Sequence, residues 1–164
     1  LSISFPNYRM FYKYSRGNQH EWVVLLLKPA ILWELDCAFF EENAACSTAK
    51  EFPLASRKKA FALNRMFGSK PAPSRTDLDI PGSFPTDPQA EVLVFERIPP
   101  TYIREVCFHT SRARREWVQG NAGVPLPRTR AMPEYFSYRK DWQAWSAGQQ
   151  DGERNPTYEE EIHY

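Results

Sequence analysis

The run Val92-Leu93-Val94-Phe95 is wholly apolar, and Asp87-Pro88-Gln89-Ala90-Glu91 leads straight into it. Consecutive β-branched and large apolar residues favour a strand fixed in a core. Glu91 would therefore be held rigidly at the mouth of that strand. Because side chains alternate along a strand, Gln89 and Glu91 are predicted to leave from one face. A carboxylate forced into such surroundings is a candidate site.

The remaining pattern is one of short elements. Leu1 to Phe5 alternates apolar and polar residues as a strand does, until Pro6-Asn7 interrupts it. Met10 to Tyr14 suits either extended or helical structure, and Ser15 to Gln19 reads as a polar turn. Glu21 to Leu27 is predicted as a strand buried on both faces, followed by a short helix over Ala30 to Glu34 that Pro29 starts. Cys37 to Phe40 is short and apolar. Pro53 to Phe67 places Phe61, Leu63 and Phe67 among basic residues, which predicts an amphipathic helix ending near Gly68. Ser69 to Pro88, rich in proline, reads as a loop of about twenty residues, and loops of that length are commonly functional.

Pro99-Pro100 closes the apolar strand, Thr101 to Arg104 suits one helical turn, and Glu105 to Thr110 alternates as a further strand, joined to the previous one by a hairpin or short crossover. Ser111 to Arg115 predicts one or two helical turns carrying basic charge. Beyond Gly120 the periodicity dissolves into an arm expected to dock through Tyr135, Phe136, Tyr138, Trp142 and Trp145. Residues 1–146 are read as a single domain of α+β class, with residues 147–164 a frayed acidic tail.

The 21 basic and 20 acidic residues nearly cancel, so global charge names no partner. Cys37, Cys46 and Cys107 form no C-x-x-C pair, and His20, His109 and His163 lack ligand spacing, so no metal site is expected. No apolar run approaches the roughly 20 residues of a membrane helix, and the chain reads as cytoplasmic.

From the residues alone Glu91 has two readings. It is a strand-edge charge facing water, or it is a base or electrostatic stabiliser placed by the loop that feeds it. Gln89-Ala90-Glu91 opening an apolar strand resembles the Q-x-E element of ADP-ribosyltransferases. More narrowly, Pro88 to Val94 with Ile98-Pro99-Pro100-Thr101-Tyr102-Ile103 resembles the DarT family of toxins, which attach ADP-ribose to bases of single-stranded DNA. Ser2 to Tyr12 is similar to that family's strand across the NAD site, and Phe39-Phe40-Glu41-Glu42-Asn43-Ala44-Ala45 to its segment before the substrate loop. Three blocks in the right order weigh far more than one Q-x-E.

The resemblance implies a split β-sheet core with short helices and a long substrate loop, NAD as the co-substrate, and single-stranded DNA as acceptor. It implies that Glu91 is catalytic with Arg9 beside it, that Ser4, Asn7, Arg9 and Asn43 hold NAD, and that Gln89 faces the acceptor. Lys58 and Arg65 would then meet DNA phosphates and Phe84 would stack on a base. By overall resemblance the guanine-modifying branch is expected, with a cognate antitoxin that removes the modification. The family begins with a strand and helix bearing a His, so its N-terminal portion is expected to lie upstream of Leu1. The competing expectations are transfer to RNA or protein, or a nucleic-acid-binding module without catalysis. In that last case the basic helix with Arg57, Lys58, Lys59 and Arg65 and the aromatic arm act alone; the bland readings are that this helix is a solvated face and that Asn43 only caps or turns the chain.

Overall fold

The computed structural model describes residues 1–15, 18, 21–70 and 74–144. The expected frayed tail at 147–164, Trp145 and most of the expected polar turn before Glu21 lie outside them. Two small sheets make the core. The first has three strands in the order β1 (Val23–Leu27), β4 (Ile103–Phe108), β5 (Arg128–Ala131); the second pairs β2 (Cys37–Phe40) with β3 (Glu91–Val94). This is the split-sheet α+β core that the family resemblance implied.

All four residues of β2 are buried because both faces of the β2–β3 pair are covered. On one face Cys37, Phe39, Ala90 and Val92 pack against Ala62 and Met66, the latter pair from helix α4 (Lys59–Arg65) and the turn after it. On the other, Ala38, Phe40 and Leu93 meet Ala44, Cys46 and Ala49, the last in helix α3 (Ser47–Lys50). The antiparallel register sets Phe40 opposite Glu91 and Cys37 opposite Val94.

Several expectations are corrected. Leu1 to Phe5 is not a strand. Leu1 alone pairs with β3, its amino group donating to the Val92 carbonyl at 2.7 Å and its carbonyl accepting the Val92 N–H at 2.7 Å. The chain then turns sharply at Ser4, where φ is 63° and Phe5 N–H donates to the Ile3 carbonyl at 2.7 Å, a γ-turn of the rarer positive-φ hand. Helix α1 (Tyr8–Ser15) follows, with the rings of Tyr8, Phe11 and Tyr12 on one side at the i, i+3, i+4 spacing.

The strand expected over Glu21 to Leu27 is not buried on both faces: Val23 is 39% and Leu25 48% exposed. Here β1 forms the sheet edge, while helix α6 (Ser111–Gly120) covers β4 and β5 through Trp117 on Phe108 and Arg114 on Thr129. Helix α2 (Ile31–Glu34) matches its expectation. The single amphipathic helix over Pro53 to Phe67 breaks in two, a 3-10 turn at Leu54–Arg57 and then α4. Lys59 has φ 68°, which redirects the chain between them. Phe61 is consequently 74% exposed, whereas Arg57, expected on a basic surface, is buried beneath the rings of Phe40 and Phe52.

The Ser69 to Pro88 loop is partly helical. Helix α5 (Arg75–Leu78) carries a capping box: Ser74 Oγ accepts the Asp77 N–H at 3.2 Å and the Asp77 carboxylate accepts the Ser74 N–H at 3.0 Å. Strands β3 and β4 form no hairpin. The segment between them, with its 3-10 turn Pro100–Tyr102, passes from one sheet to the other.

Helix α6 runs for ten residues, longer than expected, because the Thr110 hydroxyl caps it and Arg112 pairs with Glu116 one turn on. The strand β5, parallel to β4, lies where the sequence pattern had dissolved. Buried Glu105 draws it in, facing Arg130 Nε at 2.8 Å and Arg128 Nε at 3.4 Å through Oε1, contacts that are ionic and not aligned as hydrogen bonds.

The aromatic arm docks as expected. Tyr135 packs edge-on to Phe5, Phe136 to Phe11 and Tyr138 to Tyr8, while Tyr138 stacks on Trp142. Within it Arg139, 4% exposed, forms a bidentate pair with Asp141 at 2.6 Å and donates to the carbonyls of Pro85 at 2.7 Å and Thr86 at 3.0 Å. Removing one partner leaves an uncompensated buried charge, so Arg139→Ala should cost about 3–5 kcal/mol. Chemical denaturation should show that loss, with a smaller one in a double variant that replaces Arg139 and Asp141 by apolar residues of similar volume.

Candidate functional site

The loop that feeds Glu91 is held from three directions. Thr86, fully buried, donates its N–H to the Met66 carbonyl at 2.9 Å and its hydroxyl to the Gly68 carbonyl at 2.6 Å. Arg75 donates to the Thr86 hydroxyl at 2.9 Å, the Phe84 carbonyl at 2.8 Å and the Pro81 carbonyl at 3.1 Å. Arg139 takes the Pro85 and Thr86 carbonyls from the other side. A segment without ladder hydrogen bonds must satisfy its buried carbonyls elsewhere, and two arginines do so here.

Asp87 comes next, 2% exposed. Its Oδ1 accepts the Gln89 N–H at 2.7 Å, its Oδ2 accepts Lys70 Nζ at 2.7 Å, and its carbonyl accepts the Ala90 N–H at 3.1 Å. Burial pushes the Asp87 carboxyl pKa up, against the opposing pull of the Lys70 charge. Gln89 therefore sits in a turn that Asp87 closes, before the strand begins, so the same-face alternation expected for Gln89 and Glu91 does not hold.

Glu91 is the first residue of β3 and half-buried. Pairing opposite Phe40 puts it on the face of Phe40 and Leu93. Its neighbour Val92 is fully buried, bonded through its backbone to Leu1, and this fixes the strand at that point.

Leu1 to Arg9 is tied to this strand at Leu1 and to the loop before it at Ser4 and Phe5. The Ser4 hydroxyl donates to the Ser83 carbonyl at 2.6 Å, and Phe5 stacks at a tilt on Phe84 with centroids 6.0 Å apart. The Ser2 hydroxyl accepts the Asn7 N–H at 3.1 Å. Asn7, 4% exposed, caps α1 by accepting the Met10 N–H through Oδ1 at 3.2 Å, while its buried Nδ2 has no hydrogen-bond partner. Arg9 is half-buried in the first turn of α1. Of the residues expected to hold NAD, Ser4, Asn7 and Arg9 thus share one segment tied to the Ser83–Val92 stretch.

The others lie differently. Asn43 closes an Asx turn, its Oδ1 accepting the Ala45 N–H at 2.8 Å. Lys58 pairs with Asp36 and sits over the Phe95 ring, and Arg65 pairs with Glu41. Phe84 packs between Phe5 and the Arg139 guanidinium. A groove of about 510 Å³ between α2 and α4, lined by Trp33, Asp36, Lys58, Lys59 and Leu63 among others, opens at the Cys37 end of β2, away from Glu91. Among the described residues no group of three or more His, Cys, Asp or Glu is placed to hold a metal.

Sequence reasoning missed Lys70, Arg75, Thr86, Asp87, Arg139 and Asp141. Only one carried a local signal: Ser74-Arg75-Thr76-Asp77 is a capping-box pattern that marks a helix start inside the loop.

A family model described as "ssDNA thymidine ADP-ribosyltransferase, DarT" matches residues 4–137. The match runs from the Ser4 turn through Glu91 to the aromatic arm. A search of the curated proteins finds no match. Within the matched region Asn7 has a separable structural duty: Asn7→Ala removes the cap of α1 and should cost about 0.5–2 kcal/mol, whereas Asn7→Ser keeps a capping oxygen and should recover most of it. Thermal denaturation of the two variants checks this.

Proposed function

The chain belongs to the DarT family of NAD-dependent ADP-ribosyltransferases, and from that premise we propose that Glu91 is its catalytic carboxylate and a base of single-stranded DNA its acceptor. The observation that carries the reading is the mounting of Glu91. A half-buried carboxylate opens a strand, paired opposite buried Phe40, whose next residue is fully buried and bonded through its backbone to Leu1. Such fixity is what an electrostatic stabiliser requires, since a charge that must reorganise during reaction stabilises little.

NAD supplies a nicotinamide leaving group on the ribose C1 carbon. Glu91 would accept a hydrogen bond from the ribose hydroxyl and face the positive charge that develops on the sugar. Arg9 would offset pyrophosphate charge or orient Glu91. Asn7 fits a holder of NAD because its Nδ2 is a buried donor without a partner, and such donors are costly unless a ligand satisfies them. Ser4 shapes this wall through its strained turn, and Asn43 would border the cofactor from the α3 side.

Gln89, in the turn before β3, would face the acceptor base. Lys58 and Arg65 would exchange their carboxylate partners for DNA phosphates; surface ion pairs are worth only about 0–1 kcal/mol, so the exchange is inexpensive. Phe84 would border the base by its exposed edge. Overall resemblance favours guanine as the base, whereas the family description names thymidine. The biological role is that of a cytoplasmic toxin countered by an antitoxin that removes the modification.

The test incubates the protein with labelled NAD and four single-stranded oligonucleotides, each lacking one base. Mass spectrometry should find ADP-ribose adducts on three of the four and none on the one lacking the target base. Glu91→Gln should reduce adduct formation by about 10²–10³-fold while the circular dichroism spectrum and oligonucleotide affinity persist. Adducts on protein with none on DNA would sink the acceptor reading, and full activity in Glu91→Gln would sink the catalytic one.

A further inference from the structure

The Asp87 carboxylate is buried, ionically paired and outside the chemistry assigned above. Its two oxygens do different things. Oδ1 holds the Gln89 N–H, and Oδ2 holds Lys70, seventeen residues earlier. The pair closes the substrate loop at its base and at the same time sets the turn that ends at Glu91. Stability alone does not account for a carboxylate here, because a buried ion pair is often replaced by apolar groups without loss. Nor does the loop depend on it: the bonds from Thr86 to Met66 and Gly68, and those from Arg75 and Arg139, hold residues 81–86 without Asp87.

We propose that Asp87, braced by Lys70, is a positioning residue that fixes Gln89 over the acceptor and so decides whether the ADP-ribosyl group passes to a nucleobase or to water. This rests on the reading of Glu91 and Gln89 given above. In both outcomes the bond between nicotinamide nitrogen and ribose C1 breaks, and its electron pair leaves on nicotinamide. In transfer a base nitrogen forms the new bond to C1 and its proton goes to solvent. In hydrolysis a water oxygen forms that bond and loses the proton instead. Both need Glu91, but only transfer needs an acceptor held in line. A loosened 87–90 turn would therefore reduce transfer while leaving hydrolysis, since a displacement of about 1 Å in a positioned reactant costs on the order of 10²-fold.

The experiment follows both products, modified oligonucleotide and free ADP-ribose, for the wild type, Asp87→Asn, Asp87→Ala, Lys70→Met and Lys70→Arg. Asp87→Ala should lose roughly 10²-fold in transfer, and Asp87→Asn and Lys70→Met about 10-fold, with hydrolysis within about twofold of wild type and the KM for NAD unchanged. Lys70→Arg should restore the wild-type partition. Asp87→Asn preserves shape and an acceptor for Gln89, so it serves if Asp87→Ala fails to fold. Transfer and hydrolysis falling together, or an unchanged ratio in all variants, would overturn the inference while leaving the function intact. A wild type that makes no DNA adduct would overturn both.

Discussion

The Arg139 guanidinium is the interaction on which the arrangement around Glu91 depends. Its bidentate hold on Asp141 neutralises the charge, and its remaining donors reach the Pro85 and Thr86 carbonyls, more than fifty residues earlier. Those carbonyls belong to a stretch with no strand or helix partner, where buried polar groups left unpaired would cost about 1–3 kcal/mol each. A planar fork of five donors suits the task better than an ammonium would. Thr86, held in this way, hands the constraint to Met66 and Gly68 at the end of α4. The aromatic arm, the loop over residues 81–86 and the helix against the β2–β3 sheet are thereby tied together beside Glu91.

Charge is used in two ways in this molecule, separated by burial. Arg139–Asp141 and Lys70–Asp87 are buried or partly so, and removing one partner strands the other in low dielectric. Lys58–Asp36 and Arg65–Glu41 lie nearer solvent, where competing water and salt leave each pair worth little. Arg139–Asp141 cannot change partners without freeing the Pro85 and Thr86 carbonyls, and the second set can exchange theirs freely. On the proposed reading, the cations that would meet DNA phosphates are of the second kind.

The strands of the β2–β3 sheet and the β4 strand were legible because both signals, apolar runs and alternation, come from the residues that are buried. The docking of buried Phe136 was legible for the same reason, whereas Tyr138, 48% exposed, docks through its ring contacts with Tyr8 and Trp142. The β5 strand was not, since Arg128-Thr129-Arg130-Ala131 carries no apolar alternation, and its place comes from buried Glu105 on a neighbouring strand. Asp87 and Arg139 were equally hidden: each acts on the backbone of residues remote in sequence or turned by a local loop, and no periodicity records such a bond. Arg57 misled in the opposite sense, because basic residues near a helix suggest a solvated face and only the break at Lys59 turns this one inward.

That limit alters the meaning of the Gln89-Ala90-Glu91 element. Read as one strand, the two polar side chains would share a face and a single mechanical support. In the fold they do not: Glu91 takes its orientation from the ladder opposite Phe40, and Gln89 takes its own from the carboxylate of Asp87. The ladder is buttressed by a core on both faces, whereas the turn hangs on one side chain and its lysine. On the proposed reading, the group that meets the sugar is therefore fixed by packing and the group that meets the acceptor by a replaceable polar contact. Substitutions within the turn could then shift acceptor preference while the carboxylate stays where the chemistry requires it.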